Sequence, residues 1–309
     1  MAAFDLEGVV RALDGIRAEW RASQQRAREP GEREFPSRDA LAGIFEKFKS
    51  ALFPMRLGPV DMRHESENYY VGYTLDAALR GLQQQARLEL RRLAPDGRDV
   101  DERAAAIVRQ FAAGLPDVRR LLDSDVLAAF QGDPAARNVD EVLLCYPGIH
   151  ALIHHRLAHQ LYLLELPLLA RIAAEIAHGE TGIDIHPGAR IGPGCFIDHG
   201  TGVVIGETAR IGRCVRIYQA VTLGAKRFVT DAAGNPEKGL ARHPIVEDDV
   251  VIYAGATILG RVTLGQGAVI GGNVWITDDV AAGATVTQAG PRSTLRLRDV
   301  LEPEREAAG

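Results

Sequence analysis

The stretch IDHGTGVVIGETARIGRCVRIYQAVTL, residues 197–223, carries a large aliphatic residue at every sixth position from Ile205 to Leu223. The same spacing continues on both sides of this stretch. The aliphatic positions are Ile185, Ile191, Ile197, Ile205, Ile211, Ile217, Leu223, Val246, Ile252, Ile258, Leu264, Ile270 and Ile276. Neither the period of a helix nor the alternation of a single strand produces steps of six, whereas a solenoid of hexapeptide repeats does.

Each hexapeptide is expected to supply one short strand and one turn, with three hexapeptides forming one coil of a triangular prism. One unit cannot bury its aliphatic side chain alone, so stability must come from the stacking of coils. The thirteen positions account for four to five coils. A small or β-branched residue follows nearly every aliphatic one at a distance of four, and Cys195 occupies such a position. We therefore predict a structural role for Cys195.

The N-terminal part of the chain has helical periodicity instead. An apolar stripe in steps of three and four, from Leu75 to Leu93, predicts a helix that ends at a turn over residues 94–97. Further helices are predicted over 103–114, 117–130, 147–165 and 167–178, the last with Gly179 as its C-terminal stop, and residues 21–38 are predicted to be a loop.

The fold class is therefore α+β. We expect a helical N-terminal domain over residues 1–182, a β-helix domain over 183–290 with an excursion loop over 224–245, and a C-terminal tail over 291–309.

Charge and composition exclude several classes of protein. The 309 residues contain 36 basic and 41 acidic side chains, a net charge of −5, so nucleic acid is not an expected partner. The three cysteines show no C-x-x-C spacing and predict neither a disulfide framework nor a zinc knuckle. The N-terminus lacks the pattern of a signal peptide, and charged residues interrupt the longest apolar region, 151–177. We expect a soluble cytoplasmic protein that does not bind membranes.

Two interruptions of the repeat are the first places to look for chemistry, because insertions in solenoids tend to carry binding function. The step from Ile197 to Ile205 is eight residues, and a long excursion follows Leu223. The aliphatic core of the prism leaves no room for a substrate. A site must therefore lie on the outside, between coils or between subunits.

Ionisable residues lie at or beside both interruptions. His199 and Asp184 could form a dyad in which the carboxylate fixes the imidazole tautomer, and such a base could deprotonate a hydroxyl for attack on a thioester. The alternative is a surface histidine bound to a neighbour. Arg242 and His243 lie at the foot of the excursion, where a guanidinium suits a substrate that carries a carboxylate.

Three further histidines, His154, His155 and His159, have spacings that could approach a metal ion. Their predicted helix carries arginine and adds no carboxylate. We expect these histidines to lie at the surface or in an interface, and we predict no metal site.

The sequence resembles the bacterial serine O-acetyltransferases, which have a helical N-terminal region followed by a left-handed hexapeptide β-helix. The resemblance covers about residues 133–280. The matching motifs are Asp133-Pro-Ala135, Gly148-Ile-His-Ala151, Asp184-Ile-His-Pro187, Ile197-Asp-His-Gly-Thr-Gly-Val-Val-Ile-Gly-Glu-Thr-Ala209, Gln219-Ala-Val-Thr-Leu-Gly224 and Arg242-His-Pro244.

The resemblance implies transfer of an acetyl group from acetyl-CoA to L-serine, with no acyl-enzyme, as the first step of cysteine synthesis. By motif, His199 is similar to the general base and Asp184 to its orienting partner. Asp133 and Asp198 resemble the carboxylates that hold the substrate ammonium. Arg242 and His243 resemble the clamp for the substrate carboxylate, and we also count His243 among the catalytic residues.

Acetyl-CoA is expected as a co-substrate in a groove between neighbouring prisms. The residues in the corresponding places are Gly224, Ala225, Ala254, Gly255 and Gly272. The resemblance implies a homotrimer, or a dimer of trimers, with sites between subunits. In the family a terminal isoleucine inserts into O-acetylserine sulfhydrylase. This sequence finishes in Glu-Ala-Ala-Gly, so we do not expect that complex.

Three other functions fit parts of the pattern. An acetyltransferase for a sugar, an antibiotic or homoserine would keep His199 but would not need Asp133 together with Arg242 and His243. A γ-type carbonic anhydrase needs three histidine ligands on neighbouring rungs, and the prism offers only His199 and His243 beyond the first rung. A non-catalytic scaffold would not require charged residues at both breaks in the repeat.

Overall fold

The structure is a computed structural model that describes residues 4–24, 35–93, 99–227, 234, 237 and 239–288. Eight helices are described: α1 Leu6–Ser23, α2 Arg38–Leu52, α3 Pro54–Leu57, α4 His64–Leu93, α5 Val100–Gly132, α6 Val139–Cys145, α7 Pro147–Leu163 and α8 Pro167–Thr181. The strands that follow are β1 Asp184–Ile185, β2 Arg190–Ile191, β3 Phe196–Ile197, β4 Val204–Ile205, β5 Arg210–Ile211, β6 Arg216–Ile217, β7 Thr222–Gly224, β8 Ile245–Val246, β9 Val251–Ile252, β10 Thr257–Leu259, β11 Thr263–Leu264, β12 Val269–Ile270, β13 Trp275–Ile276 and β14 Thr285–Val286.

The strands form the predicted left-handed parallel β-helix. They make three parallel sheets, which we call the first (β1-β4-β7-β10-β13), the second (β11-β8-β5-β2) and the third (β14-β12-β9-β6-β3). Ile185 lies opposite Ile205, which lies opposite Leu223, so equivalent aliphatic residues of successive coils stack in a column. These side chains are almost completely buried, which confirms the six-residue pattern as the core of the prism.

The prediction of two helices over 103–114 and 117–130 is wrong, because α5 runs without a break and contains Pro116. A proline inside a helix costs about 3 kcal/mol. Buried residues on both sides of it, including Phe111, Leu115 and Leu122, hold the helix against its neighbours and outweigh that cost.

The prediction that Gly179 ends α8 is also wrong. The helix continues to Thr181, and Gly182 terminates it in the left-handed conformation with φ of 69°, its N–H donating to the carbonyl of His178. The apolar stripe of α4 is confirmed by the burial of Leu82, Ala86 and Leu90. The predicted turn at 94–97, the tail at 291–309 and most of the loop at 21–38 lie outside the described residues.

Helix α7 joins the helical part to the prism. Arg156 of α7 and Asp125 of α5 form a buried ion pair, with Nε to Oδ2 at 2.6 Å, and Arg156 also donates to the carbonyls of Ile191 and Gly192. At Gly148 a Cβ would lie 2.1 Å from the carbonyl oxygen of Ile197, so only glycine permits this close approach. The start of α7 is thus held against the strand that leads to His199.

Helix α7 is enclosed by other elements, and His154 and His155 are only 1% and 3% exposed. Of the two expected locations, the surface or an interface, the surface is wrong for His154 and His155. No described helix is long and apolar enough to cross a membrane.

Candidate active site

The candidate residues lie along two long edges of the prism, where the chain turns from one sheet to the next at either end of the first-sheet strands. We call the turns that lead from the first sheet to the second (186–189, 206–209, 225–227 with 239–244, and 260–262) the first edge. The turns that lead from the third sheet back to the first (198–203, 218–221, 253–256 and 271–274) are the third edge.

His199 lies on the third edge in an unusual backbone conformation. The N–H of Gly200 donates to the carbonyl of Asp198 at 2.6 Å, which makes His199 the central residue of a γ-turn with φ of 57°. This left-handed region is uncommon for residues other than glycine, although Ala220 and Asn273 on the same edge also adopt it. The His199 side chain is 71% exposed and its Nδ1 lies 3.9 Å from Oδ1 of Asp198. The ring is therefore open to a ligand.

Asp133 caps the C-terminal end of α5 and faces the same edge. Its Oδ2 accepts a hydrogen bond from the hydroxyl of Tyr146 at 2.5 Å, and its Oδ1 accepts from the N–H of Ala135 at 2.8 Å. The Tyr146 bond, with a smaller contribution from the charges of Arg216 and His199, holds the pKa of Asp133 below its usual value. The same bond raises the pKa of Tyr146 to about 12, so the hydroxyl keeps its proton. Asp133 is therefore a preorganised anion.

Asp198 is buried beside it and is partly neutralised. The guanidinium of Arg216 donates to Oδ2 of Asp198 at 3.3 Å and lies over the rings of Phe196 and Tyr218, with centroid distances of 4.9 and 5.0 Å. The Nε of Arg216 is buried and has no hydrogen-bond partner in the described part of the chain. This edge thus combines one imidazole with two carboxylates and one cation.

His243 lies on the first edge, packed onto Gly206. A Cβ at residue 206 would lie 2.0 Å from the His243 ring, so the glycine is required there. The N–H of Thr208 donates to Nδ1 of His243 at 3.1 Å. Burial and the nearby Arg242 lower the pKa of His243 to about 4. The ring is neutral at pH 7 and carries its proton on Nε2, which makes it a hydrogen-bond donor rather than a cation.

Next to His243, Arg242 carries a positive charge on this edge. Its guanidinium donates to Oε2 of Glu207 at 2.7 Å, and Tyr162 donates to the other oxygen of Glu207 at 3.2 Å. Burial acts to raise the pKa of Glu207, but the bonds from Arg242 and Tyr162 and the charge of His186 outweigh it, so the pKa is lowered. Glu207 stays ionised and positions the guanidinium.

The structure does not bring all the predicted residues together within one chain. Between the two edges, the chain from residue 203 to residue 206 covers three extended steps of ~3.3 Å, about 10 Å. Serine is shorter than this separation, so we assign His199 and Arg242 of one chain to different sites. The residues predicted to hold acetyl-CoA divide in the same way: Ala225 lies on the first edge directly after Gly224, the last residue of β7, and Ala254, Gly255 and Gly272 lie on the third edge.

Asp184 is placed differently from the prediction. It lies on β1 beside Glu175 and His178 of α8. These three residues form a first group of potential metal ligands, with one ligand atom of each within 4.8 Å of the others. Within the described part of one chain, Asp184 forms neither a hydrogen bond nor an ion pair with His199. The predicted dyad is therefore not assembled in the single chain.

Four neighbours of the candidate residues were missed in the sequence: Tyr146, Glu207, Thr208 and Arg216. Glu207 and Thr208 lie directly after Gly206 inside the motif over residues 197–209. Their place in that motif could have identified them as site residues. Arg216 occupies an outward position on a regular rung, where a charged residue is ordinary.

A second group of potential metal ligands lies in the helical part of the described chain. His150 Nε2 is 2.5 Å from Oε2 of Glu180, and His154 completes the group. Such groups also occur without a metal, and the prediction of no metal site stays a prediction.

The family described as bacterial transferase hexapeptide (six repeats) matches residues 243–278. A serine acetyltransferase of Synechococcus elongatus is 56% identical over 265 residues, which cover 84% of this chain and 83% of the relative. The chain belongs to the serine acetyltransferase family.

Solved serine acetyltransferase structures share the fold. Isoform 3 of Entamoeba histolytica, in complex with cysteine, superposes with a TM-score of 0.70 at 34% identity and covers 83% of this chain and 84% of its own. The soybean enzyme complexed with serine gives a TM-score of 0.51 at 31% identity, covering 80% of this chain and 96% of its own. Family membership favours acyl transfer over a carbonic anhydrase or a scaffold.

Proposed function

We propose that this chain transfers the acetyl group of acetyl-CoA to the hydroxyl of L-serine, giving O-acetyl-L-serine and CoA. Membership of the serine acetyltransferase family supports the reaction. The observation that carries the residue roles is the division of charge between the two edges. The third edge offers a base and carboxylates for a hydroxyl and an ammonium, and the first offers a guanidinium for a carboxylate.

Two chains are needed to complete this site. In our proposal the third edge of one subunit faces the first edge of its neighbour, in a cytoplasmic homotrimer or a dimer of such trimers. Closed rotational symmetry repeats the same contact around the ring, so a trimer has three equivalent sites. The two edges that are about 10 Å apart in one chain then meet across the interface.

The serine zwitterion is held at both ends in this arrangement. Asp133, preorganised by Tyr146, accepts the ammonium, while Asp198 shares its charge with Arg216 and contributes less. Arg242 of the neighbouring subunit binds the carboxylate through charge-assisted hydrogen bonds. The neutral His243 donates from Nε2 to the carboxylate or to the reacting oxygen. The hydroxyl between the two charges is thereby directed to His199.

The chemical step is direct attack on the thioester. His199 takes the proton of the serine hydroxyl as Oγ bonds to the thioester carbon, for roughly 10²–10⁴-fold acceleration. The tetrahedral intermediate expels the CoA thiolate, which takes the proton from the imidazolium. We propose that Asp184 orients His199 only in the assembled enzyme. The product is an activated serine ester that a sulfhydrylation step would convert to cysteine.

The experiment that tests this function measures release of CoA thiol from acetyl-CoA with L-serine, L-homoserine and several hexoses side by side. We expect turnover with L-serine, because it carries the ammonium, the carboxylate and a hydroxyl at the matching distance. L-Homoserine is expected to react more slowly, since its extra methylene displaces the hydroxyl from His199. Turnover with a hexose and not with L-serine would overturn the amino-acid clamp and favour another hydroxyl acceptor.

A further inference from the structure

A cavity of about 700 Å³ lies between α5, α7 and the second sheet. We call it the joint cavity, because it lies where the helical part meets the prism. Its basic lining residues are His155, Arg156, His159, Arg190 and Arg210, and within the described part of the chain no acidic residue lines it. Apolar side chains, among them Leu121, Leu163 and Ile211, form the rest of the wall. None of these residues belongs to the candidate active site.

Two arginines at the cavity stand directly opposite each other. Arg190 of β2 pairs with Arg210 of β5 in the parallel ladder, and both are exposed. Like charges in opposite positions of a sheet destabilise it. Neither guanidinium forms an ion pair in the described part of the chain. Arg156 of α7, which also lines the cavity, is neutralised by Asp125. The fold therefore holds two uncompensated positive charges side by side.

An unpartnered polar group borders the same cavity. His155 is 3% exposed, and its Nδ1 has no hydrogen-bond partner among the described residues. Burial, assisted by the charges of His159 and Arg156, lowers the pKa of His155, so the ring is neutral. A buried polar atom without a partner is costly, and in native proteins it commonly marks a missing water or ligand.

We propose that the joint cavity binds a small organic phosphate. Its phosphate group lies between Arg190 and Arg210, and its organic part lies against the apolar wall and reaches towards His155. A phosphate monoester carries about −1.5 to −2 charges at pH 7 and can accept from two guanidinium forks at once. A single carboxylate would balance only one of the two arginines, whereas a phosphate monoester balances both.

Isothermal titration of the full chain with phenyl phosphate tests the proposal. We expect saturable binding to the unsubstituted protein, weakened at least about tenfold in R190Q and in R210Q because each removes charged hydrogen bonds. R213Q is the matched control, since Arg213 is exposed and is already paired with Asp248 at 3.0 Å. R242Q is the second control, which removes the guanidinium proposed for the active site. Both controls should bind as the unsubstituted protein does.

Thermal unfolding gives a second readout that a merely structural role would not produce. In chloride buffer R210Q should unfold at a higher temperature than the unsubstituted protein, because it removes the repulsion with Arg190. Phenyl phosphate at equal ionic strength should raise the unfolding temperature of the unsubstituted protein and of R213Q, but not of R210Q. Absence of saturable binding, binding that survives both R190Q and R210Q, or binding lost only in R242Q would each overturn the proposal.

Discussion

The H199N enzyme is expected to turn over L-serine about 10²–10⁴-fold more slowly than the unsubstituted enzyme, because an amide cannot take the proton of the attacking hydroxyl. Asparagine is the appropriate replacement for this position. The residue has φ of 57°, and asparagine tolerates the left-handed region, so the γ-turn should be preserved. The loss should therefore appear in kcat, with the KM values and the unfolding temperature little changed.

The measurement is steady-state release of CoA thiol, with thermal unfolding of the same preparations. H64N serves as the matched control, since His64 lies at the start of α4 on the surface, near Glu67, and we assign it no part in the reaction. Turnover of H199N within a few-fold of the H64N enzyme would remove His199 as the general base. A lowered unfolding temperature in H199N would assign part of the loss to the fold instead.

The R242Q enzyme is expected to raise the KM for L-serine by roughly ten- to a hundredfold, and to leave the KM for acetyl-CoA unchanged. Hydrogen bonds to a charged group contribute about 1.5–3 kcal/mol, and each 1.4 kcal/mol corresponds to a factor of ten. Glutamine keeps a donor but removes the charge that the substrate carboxylate requires. Glu207 would lose its partner at 2.7 Å, so a modest decrease in the unfolding temperature is also expected.

L-Serinamide separates the carboxylate contact from a general disturbance of the first edge. The amide acceptor has an ammonium and a hydroxyl but no carboxylate. R242Q and the unsubstituted enzyme should therefore use L-serinamide with similar kcat/KM. An equal loss with L-serine and L-serinamide would show that Arg242 does not bind the carboxylate, and would assign its effect to the contact with Glu207.

The prism was predictable from the sequence because its contacts repeat. Each aliphatic residue, such as Ile205, packs on the equivalent residue of the next coil, so a single spacing determines strand positions throughout the core. The helical part lacks such a rule. Pro116 looked like a helix boundary, yet packing of Phe111 and Leu122 keeps α5 continuous. The burial of His154 and His155 depends on helices that enclose α7 from several sides, which periodicity within α7 cannot reveal.

The candidate site was predictable only where the repeat is interrupted. His199 and Arg242 were found because each accompanies a break in the six-residue spacing. Arg216 and Glu207 were missed, because outward charged residues on regular rungs usually face solvent. In our proposal Asp184 meets His199 only in the assembled enzyme, and the sequence of one chain does not reveal contacts between subunits.

The proposed site is shared by two chains, and complementation between two impaired variants tests it. H199N and R242Q chains carrying different affinity tags are co-expressed, and assemblies that contain both are purified through both tags. In a closed ring of three, every mixed trimer has one interface that unites an intact His199 with an intact Arg242. The other two interfaces each lack at least one of these groups.

Acetyl transfer from acetyl-CoA to L-serine, measured at low L-serine, is the decisive quantity. Doubly purified assemblies are expected to recover about a third of the unsubstituted activity per trimer, far above either parent variant. The recovered activity should show the unsubstituted KM for L-serine, because the working site contains no substituted group. Mixed assemblies no more active than the average of their parents would contradict a site built from the two edges of neighbouring chains.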